Sequence, residues 1–305
     1  MINESFHIPV LTEEVIHYLL LKKNGTYLDA TSGFGGHSAS ILEQLVGGSL
    51  ISTDQDPEAI SYLKSKFKSE ERLTIHQARF SELDTLLIDN DFDGILADIG
   101  VSSHQLNTAK RGFSFMKDGP LDMRMNQNIG EDASSWLNNA SEKEISNILW
   151  KYGEERKAKR IAKAIIEARN NFKIKSTKEL AEIILEEVPR RFNDKKHPAT
   201  KTFQAIRIFI NNELEELKLL LDFTSKHLKI GGRACIISFH SLEDRMVKQF
   251  FRDHSRRDPR LSKLPNLADD SSFKLVSKAI KPSDHEINNN PRSRSAKLRV
   301  IERIR

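Results

Sequence analysis

Four short apolar runs alternate with helix-like segments across the first hundred residues, and this alternation constrains the fold more than any other feature. TYLDAT (26–31) runs into a glycine-rich loop, and HSASILEQLV (37–46) repeats its apolar residues at helical spacing. SLISTDQDP (49–57) is a second strand, followed by EAISYLKSKF, again with helical spacing. LTIHQA (73–78) and FDGILADIG (92–100) are the third and fourth. The fourth is apolar on both faces, as a central strand of a parallel sheet must be. Such alternation predicts a doubly wound α/β sheet.

The pattern then stops for about a hundred residues, and from roughly 130 to 190 the chain reads as helices. Ser141 with Glu144 and Ser176 with Glu179 match capping boxes, while Gly153 and Pro189 mark helix ends. A long helical stretch from Thr200 to Leu228 is expected to stop at Gly231-Gly232, after which RACIISF (233–239) resumes the sheet. SFKLVSKAI (272–280) and SAKLRVIERI (295–304) are the last two strands. With no helix-sized segment between them, they are expected as an antiparallel pair at the sheet edge. One sheet domain interrupted by a helical one follows.

At 305 residues the chain can bury a full core and accommodate two domains. Its 38% hydrophobic and 30% charged residues are those of an ordinary soluble protein. No apolar run is long enough to span a bilayer, and the first residues lack the basic start and apolar core of a secretory signal, so a cytoplasmic protein is expected. The single cysteine, Cys235, excludes an internal disulfide and any zinc site built from several thiolates, and no metal is expected. A net charge of +5 and a pI near 9.1 suit a polyanionic partner.

Chemistry concentrates first in DATSGFGGHS (29–38), where Gly33, Gly35 and Gly36 lie between a strand and a helix. Backbone N–H groups face outward at such a junction, and glycine lets a ligand come close. The spacing is not G-x-G-x-x-G, because Ser38 stands where the third glycine belongs, and no Walker lysine follows. Asp54 closes the second strand, where an acid accepts hydrogen bonds from ribose hydroxyls. Asp56, before a proline, reads instead as the start of the next helix. Loop and acid together indicate an adenosine-containing cofactor, either a nicotinamide dinucleotide or S-adenosylmethionine.

Asp98, at the carboxyl end of the fourth strand, is placed to meet cofactor or substrate, or to cap a turn. SFHSLEDR (238–245) is dense in polar groups, yet Ser241 with Asp244 also reads as a helix cap and first-turn acid. Basic residues gather in three places. ERKAKRIAKAII (155–166) sets Arg156, Lys159 or Arg160, and Lys163 on one helical face, with Ile161, Ile165 and Ile166 available to the core. RRFNDKKHPATK (190–201) and NPRSRSAKLR (290–299) are the others. Three such segments in one chain suit a nucleic-acid surface. Cys235 falls inside an apolar strand, so a cysteine nucleophile for C5 methylation is a poor fit and an exocyclic amine or hydroxyl is the better methyl acceptor.

On these residues the sequence resembles the bacterial small-subunit (16S) ribosomal RNA cytosine-N4 methyltransferases, the RsmH/MraW family. HIPVL (7–11), TSGFGGHS (31–38), DIGVSSHQL (98–106) and RGFSFMKDGPLDMRM (111–125) carry the likeness. YGEER (152–156), HPATKTFQAIRI (197–208), GGRACIISFHSLEDR (231–245) and NPRSRSAKLR extend it over nearly the whole chain.

The resemblance implies a class I S-adenosylmethionine-dependent methyltransferase fold, Rossmann-like with a seven-stranded sheet and an inserted all-helical domain. The expected borders are 1–107 and 204–305 for the methyltransferase domain and 108–203 for an RNA-recognition insertion. It implies S-adenosylmethionine as cofactor, with contacts from Gly35, Gly36, His37, Asp54, Phe80, Asp98 and Gln105, and with Phe80 against the adenine. The implied substrate is a decoding-region cytidine of small-subunit ribosomal RNA, in the assembled or assembling 30S subunit. Ile99 and His104 stand where the family often has Leu and Pro, and Lys195 replaces a frequent Phe. The oligomeric state stays open, a homodimer included.

The expected reaction is direct in-line transfer to cytidine N4, whose lone pair is conjugated with the ring. A site must orient that nitrogen and accept hydrogen bonds from its protons. DIGV lacks the paired prolines of DNA amino-methyltransferases, which leaves Asp98 and nearby carbonyls as catalytic candidates ahead of His240, Glu243 and Asn290. The target base must also be unstacked. Two rival readings are an NAD-dependent oxidoreductase, weakened by the broken glycine fingerprint, and an RNA-binding assembly factor without turnover.

Overall fold

The computed structural model describes residues 9–190, 197–255 and 271–305. Residues 191–196 of the basic loop at 190–201, Lys195 among them, and the first two residues of HIPVL lie outside the described residues. The chain divides into two compact units, Met1–Gly100 with Glu215–Arg305, and Val101–Leu214. The borders expected after residues 107 and 203 therefore fall inside the second unit. Its core explains the wider limits, because Ala205 and Ile206, beyond the expected end, are buried among its helices.

Along the first unit run α1 (Thr12–Leu19), β1 (Thr26–Asp29), α2 (Gly36–Gln44), β2 (Ser49–Asp54) and α3 (Pro57–Lys66). β3 (Leu73–Gln77), α4 (Leu83–Leu86) and β4 (Phe92–Asp98) follow. Asp56 caps α3, accepting from the Glu58 amide with Pro57 in the first turn, which is the role its Asp-Pro dipeptide suggested.

The second unit holds α5 (Ser103–Asn107), α6 (Ala133–Asn139), α7 (Glu142–Gly153), α8 (Ala158–Asn171), α9 (Thr177–Glu187) and α10 (Ala199–Ile210). Ser176 and Glu179 form the complete reciprocal box at α9, whereas at α7 Ser141 accepts from the Glu144 amide. Ile161 and Ile165 of α8 are fully buried and Ile166 packs on the same core, as the helical spacing requires.

α11 (Glu213–His227) leads back into the sheet. The long helix expected from Thr200 is thus two helices, broken where Asn212 adopts φ 52°. Asparagine tolerates that left-handed geometry, and the preceding Asn211 has its side chain committed elsewhere. It accepts from the Met125 amide at 2.7 Å and donates to the Met123 carbonyl at 2.8 Å.

β5 (Leu228–Ser238), α12 (Ser241–His254), β6 (Phe273–Leu275), α13 (Asp284–Asn289) and β7 (Lys297–Arg303) complete the chain. Gly231-Gly232 does not end a helix; it lies within an irregular start of β5, where the register to β4 shifts and Gly231 takes φ 77°. β6 is much shorter than the run 272–280; beyond it the Val276 amide donates to the Val300 carbonyl and an isolated bridge joins Ile280 to Leu298. A short helix, α13, and a 3-10 turn occupy the stretch between the last strands, where none was expected.

The sheet has seven strands in the order β3-β2-β1-β4-β5-β7-β6. β1 to β5 are parallel, and β7 runs antiparallel between β5 and β6. This is the seven-stranded sheet that the resemblance implies. Alternate residues serve its two faces. Leu28, Ile51, Ile95 and Ile236 join α11 and α12 in one core, and Tyr27, Leu50, Leu96 and Cys235 join α1 and α2 in the other. β4 is buried except at Asp98, its last residue, where the strand emerges. No helix among the described residues is long and apolar enough to cross a membrane.

Candidate functional site

Parallel strands deliver their carboxyl ends to one edge of the sheet, and β1 and β4 are adjacent where the strand order reverses. Four of the acids and loops singled out in the sequence arrive there. The DATSGFGGHS loop leaves β1, Asp54 ends β2, Phe80 opens the 3-10 turn after β3, and Asp98 ends β4.

The loop is fastened from beneath. Asp29 is fully buried and accepts from the Ser38 hydroxyl at 2.6 Å, and the same hydroxyl lies 3.0 Å from that of Ser52. Burial pushes the Asp29 carboxyl above its ordinary range, against the pull of His37, Ser38 and the Thr31 amide. Ser38, which breaks the dinucleotide fingerprint, is therefore an anchor for a buried acid. Asp29 was not among the site residues expected from sequence; its signal was an acid at a strand end directly before a glycine loop. Thr31 ties the loop to the neighbouring strand, its hydroxyl accepting from the Asp98 amide at 2.6 Å.

The glycines divide by what surrounds them. Gly33, at φ 49°, faces open space, so its backbone is the approachable part of the loop. A Cβ at Gly35 would come within 2.7 Å of Leu63 and Phe67, and one at Gly36 would crowd Pro9. Close packing inside the protein explains these two glycines as well as ligand approach would.

Asp54 accepts from the Gly33 amide at 2.8 Å through one oxygen and from the Asp56 amide at 2.8 Å through the other. Each carboxylate oxygen has a second lone pair to offer. Burial pushes this carboxyl up to about 6, opposed by the two amides, with the neighbouring acids Asp56 and Asp29 adding a smaller upward push. Phe80 is half-buried against the sheet core.

His37 and Asp98 form the polar centre. Nε2 of His37 lies 3.6 Å from Oδ2 of Asp98. Neither ring nitrogen of His37 has a hydrogen-bond partner, nor does Oδ1 of Asp98, although all three atoms are buried. Buried polar atoms are almost always satisfied, so three orphans beside an open glycine loop are the mark of a ligand site.

Gln105 belongs to the helical unit, where its side chain accepts from the Ser102 amide at 3.0 Å and completes the capping box of α5. His104 follows the same turn, its Nε2 3.5 Å from the Thr108 hydroxyl. Beyond β5 the helix cap is His240 and not Ser241, because the His240 ring accepts from the Glu243 amide. Glu243, 1% exposed, accepts from the amides of Phe239 and His240, and Asp244 is held by Lys297 and Arg299. SFHSLEDR thus reads as helix-starting structure. Asn290 ends α13, and its carbonyl accepts from Ser293. Cys235 is fully buried with its thiol pushed up by burial, the setting of a structural cysteine.

The model of the MraW methylase family matches residues 4–304. The chain belongs to that family. A protein from Coxiella burnetii named "Ribosomal RNA small subunit methyltransferase H" is 48% identical over 305 residues, covering 98% of this chain and 99% of its own. A protein of the same name from Xanthomonas euvesicatoria is 49% identical over 300 residues, covering 98% of this chain and 89% of its own. Membership makes the chain a methyltransferase, and the orphaned polar atoms lie at the sheet edge where such enzymes work.

Proposed function

We propose that this protein transfers the methyl group of S-adenosylmethionine to N4 of a cytidine in the decoding region of small-subunit ribosomal RNA, in the cytoplasm and on the assembled or assembling 30S subunit. The observation that carries the reading is the family match over residues 4–304. The name the two relatives carry supports the RNA class, and the sequence resemblance supports the base and atom.

The residues present fit the cofactor. Unsatisfied Asp98 and His37 atoms suit its charged amino-acid end, Asp54 suits ribose hydroxyls, half-buried Phe80 suits the adenine face, and Gly33 leaves backbone open beside them. Gly35 and Gly36 shape the loop. When bound, S-adenosylmethionine supplies an electrophilic methyl group on a sulfonium. The chain's own task is orientation, with Asp98 accepting a hydrogen bond from the exocyclic amine so that the N4 lone pair localises. The helical unit is assigned to RNA recognition.

Mass spectrometry of small-subunit RNA from a deletion strain tests this reading. Loss of N4-methylcytidine, restored by the wild-type gene, is expected; its persistence would overturn the proposal. Assays on naked RNA beside the intact subunit identify the substrate form.

A further inference from the structure

The turn that carries Phe80 is held by two groups that no sequence motif singled out. Glu216, in the first turn of α11, is 6% exposed. Its Oε2 accepts from the Ser81 amide at 2.9 Å, and its Oε1 lies 2.8 Å from Nη2 of Arg79. One carboxylate therefore grips the residues on both sides of Phe80. Glu82 closes the turn on itself, accepting from the Arg79 amide at 2.7 Å. Upstream, the Ala78 amide donates to the Asp54 carbonyl, so the gripped turn, which follows β3, is tied to the neighbouring end of β2 that bears the ribose acid.

A buried carboxylate is costly unless its oxygens are matched. Glu216 is matched on both, and each partner belongs to the three-residue segment around the aromatic ring. Leu83, just after the turn, is fully buried and fixes its far end. Phe80 is left half-exposed on a backbone pinned before it, after it and beneath it. Such pinning is what a flat ligand needs from an aromatic partner, because ordering the ring in advance removes that cost from binding.

We propose that Glu216 and Arg79 form a positioning clamp that preorganises Phe80 for the adenine ring, and so set cofactor affinity without touching the cofactor. The clamp rests on the assignment of Phe80 to adenine, and its test keeps the two separable. S-adenosylmethionine affinity is measured by calorimetry for Phe80→Ala, Glu216→Gln, Glu216→Leu and the double variant Phe80→Ala/Glu216→Leu, with melting temperatures and steady-state kinetics alongside.

Glu216→Leu is expected to weaken cofactor binding about tenfold, and Glu216→Gln, which keeps an acceptor for the Ser81 amide, by less. KM for S-adenosylmethionine should rise with kcat and KM for RNA unchanged. In the Phe80→Ala background Glu216→Leu should cost almost nothing, since residues acting through one contact are not additive. Additive losses, or a fall in kcat matching the fall in melting temperature, would overturn the clamp while leaving the adenine assignment intact. Unaltered affinity in Phe80→Ala would overturn both. Should Glu216→Leu not fold, the same cycle with Glu216→Gln decides between these outcomes.

Discussion

The two units carry opposite kinds of charge. The helical unit has 21 Lys and Arg against 15 Asp and Glu, and the sheet unit 27 against 28, so the entire positive surplus of the chain lies in the helical unit. In the sheet unit the telling charges are carboxylates at strand ends, with Asp29 fully buried and Asp54 pushed up to about 6. In the helical unit they are cations at the surface, among them Arg156 and Lys159. Buried carboxylates are held in fixed geometry and act on one ligand at contact distance. Exposed cations act at long range on any polyanion and weaken as salt rises. The contrast assigns small-molecule chemistry to one unit and polyanion capture to the other, and it can be broken at four points.

Asp98 should show the largest effect. Asp98→Asn keeps size and position but removes the charge, and methyl transfer at saturating substrates should fall by about 10²-fold or more. The melting temperature should hardly move, because Asp98 Oδ1 satisfies nothing in the protein. Single-turnover transfer with calorimetric melts checks both, and a variant with full kcat would remove Asp98 from the chemistry.

Asp54 comes next. Asp54→Ala should weaken cofactor binding by about 1–3 kcal/mol through lost charge-assisted hydrogen bonds. The pH dependence follows from its raised folded-state value. Burial makes ionisation costly, so Asp54 favours the folded state at low pH, and this contribution is lost as pH rises from about 4 through about 6. Ribose hydroxyls donate to the ionised form, so cofactor affinity should strengthen over the same window. In Asp54→Asn that rise should vanish. Calorimetric titrations at pH 5 and pH 7 read it directly.

The third effect belongs to the other unit. Lys163 of α8 lies 3.6 Å from Glu167 and Arg160 pairs with Glu187; Lys159 of the same helix is exposed, as is Arg156, which lies in the turn before α8 and not on the helical face expected for it. Replacing Arg156, Lys159 and Lys163 by Gln should weaken RNA binding about tenfold at low salt and flatten its salt dependence by about one unit of slope per lost phosphate contact. Cofactor affinity should stay at the wild-type value. A loss of cofactor binding in this variant would erase the division between the units.

How far the sequence carried depended on whether local or distant residues set the geometry. Strand positions, the buried face of α8 and the caps at Asp56 and Ser176 depend on near neighbours, and they could be read residue by residue. Asp54 and Asp98 were legible because a strand end is a local event and the sheet brings such ends together. The break at Asn211-Asn212 was not, since Asn211 is held by Met123 and Met125, more than eighty residues away. The same holds for Glu216, whose partners on the Phe80 turn lie 135 and 137 positions earlier. Gly35 and Ser38 also have packing roles that the sequence pattern does not show. Leu63 and Phe67 crowd the place a Cβ at Gly35 would take and Ser38 anchors Asp29, while Gly33 of the same loop stays open.

The smallest expected effect tests whether the units are as separable in stability as in charge. At the start of α9, Ser176 accepts from the Glu179 amide at 3.2 Å, and Glu179 accepts from the amides of Ser176 and Lys175 at 2.9 and 2.7 Å. These three bonds satisfy donors that the helix itself cannot. Ser176→Ala should therefore cost about 1 kcal/mol of stability. Ser141→Ala should cost less, because at α7 the cap is a single bond from the Glu144 amide at 3.2 Å. Both caps lie in the helical unit, so calorimetric unfolding should show the loss there while cofactor titrations stay unchanged. If Ser176→Ala weakened the cofactor as much as Asp54→Ala does, the helical unit would be part of the cofactor site in its own right, and the division drawn from charge would fail.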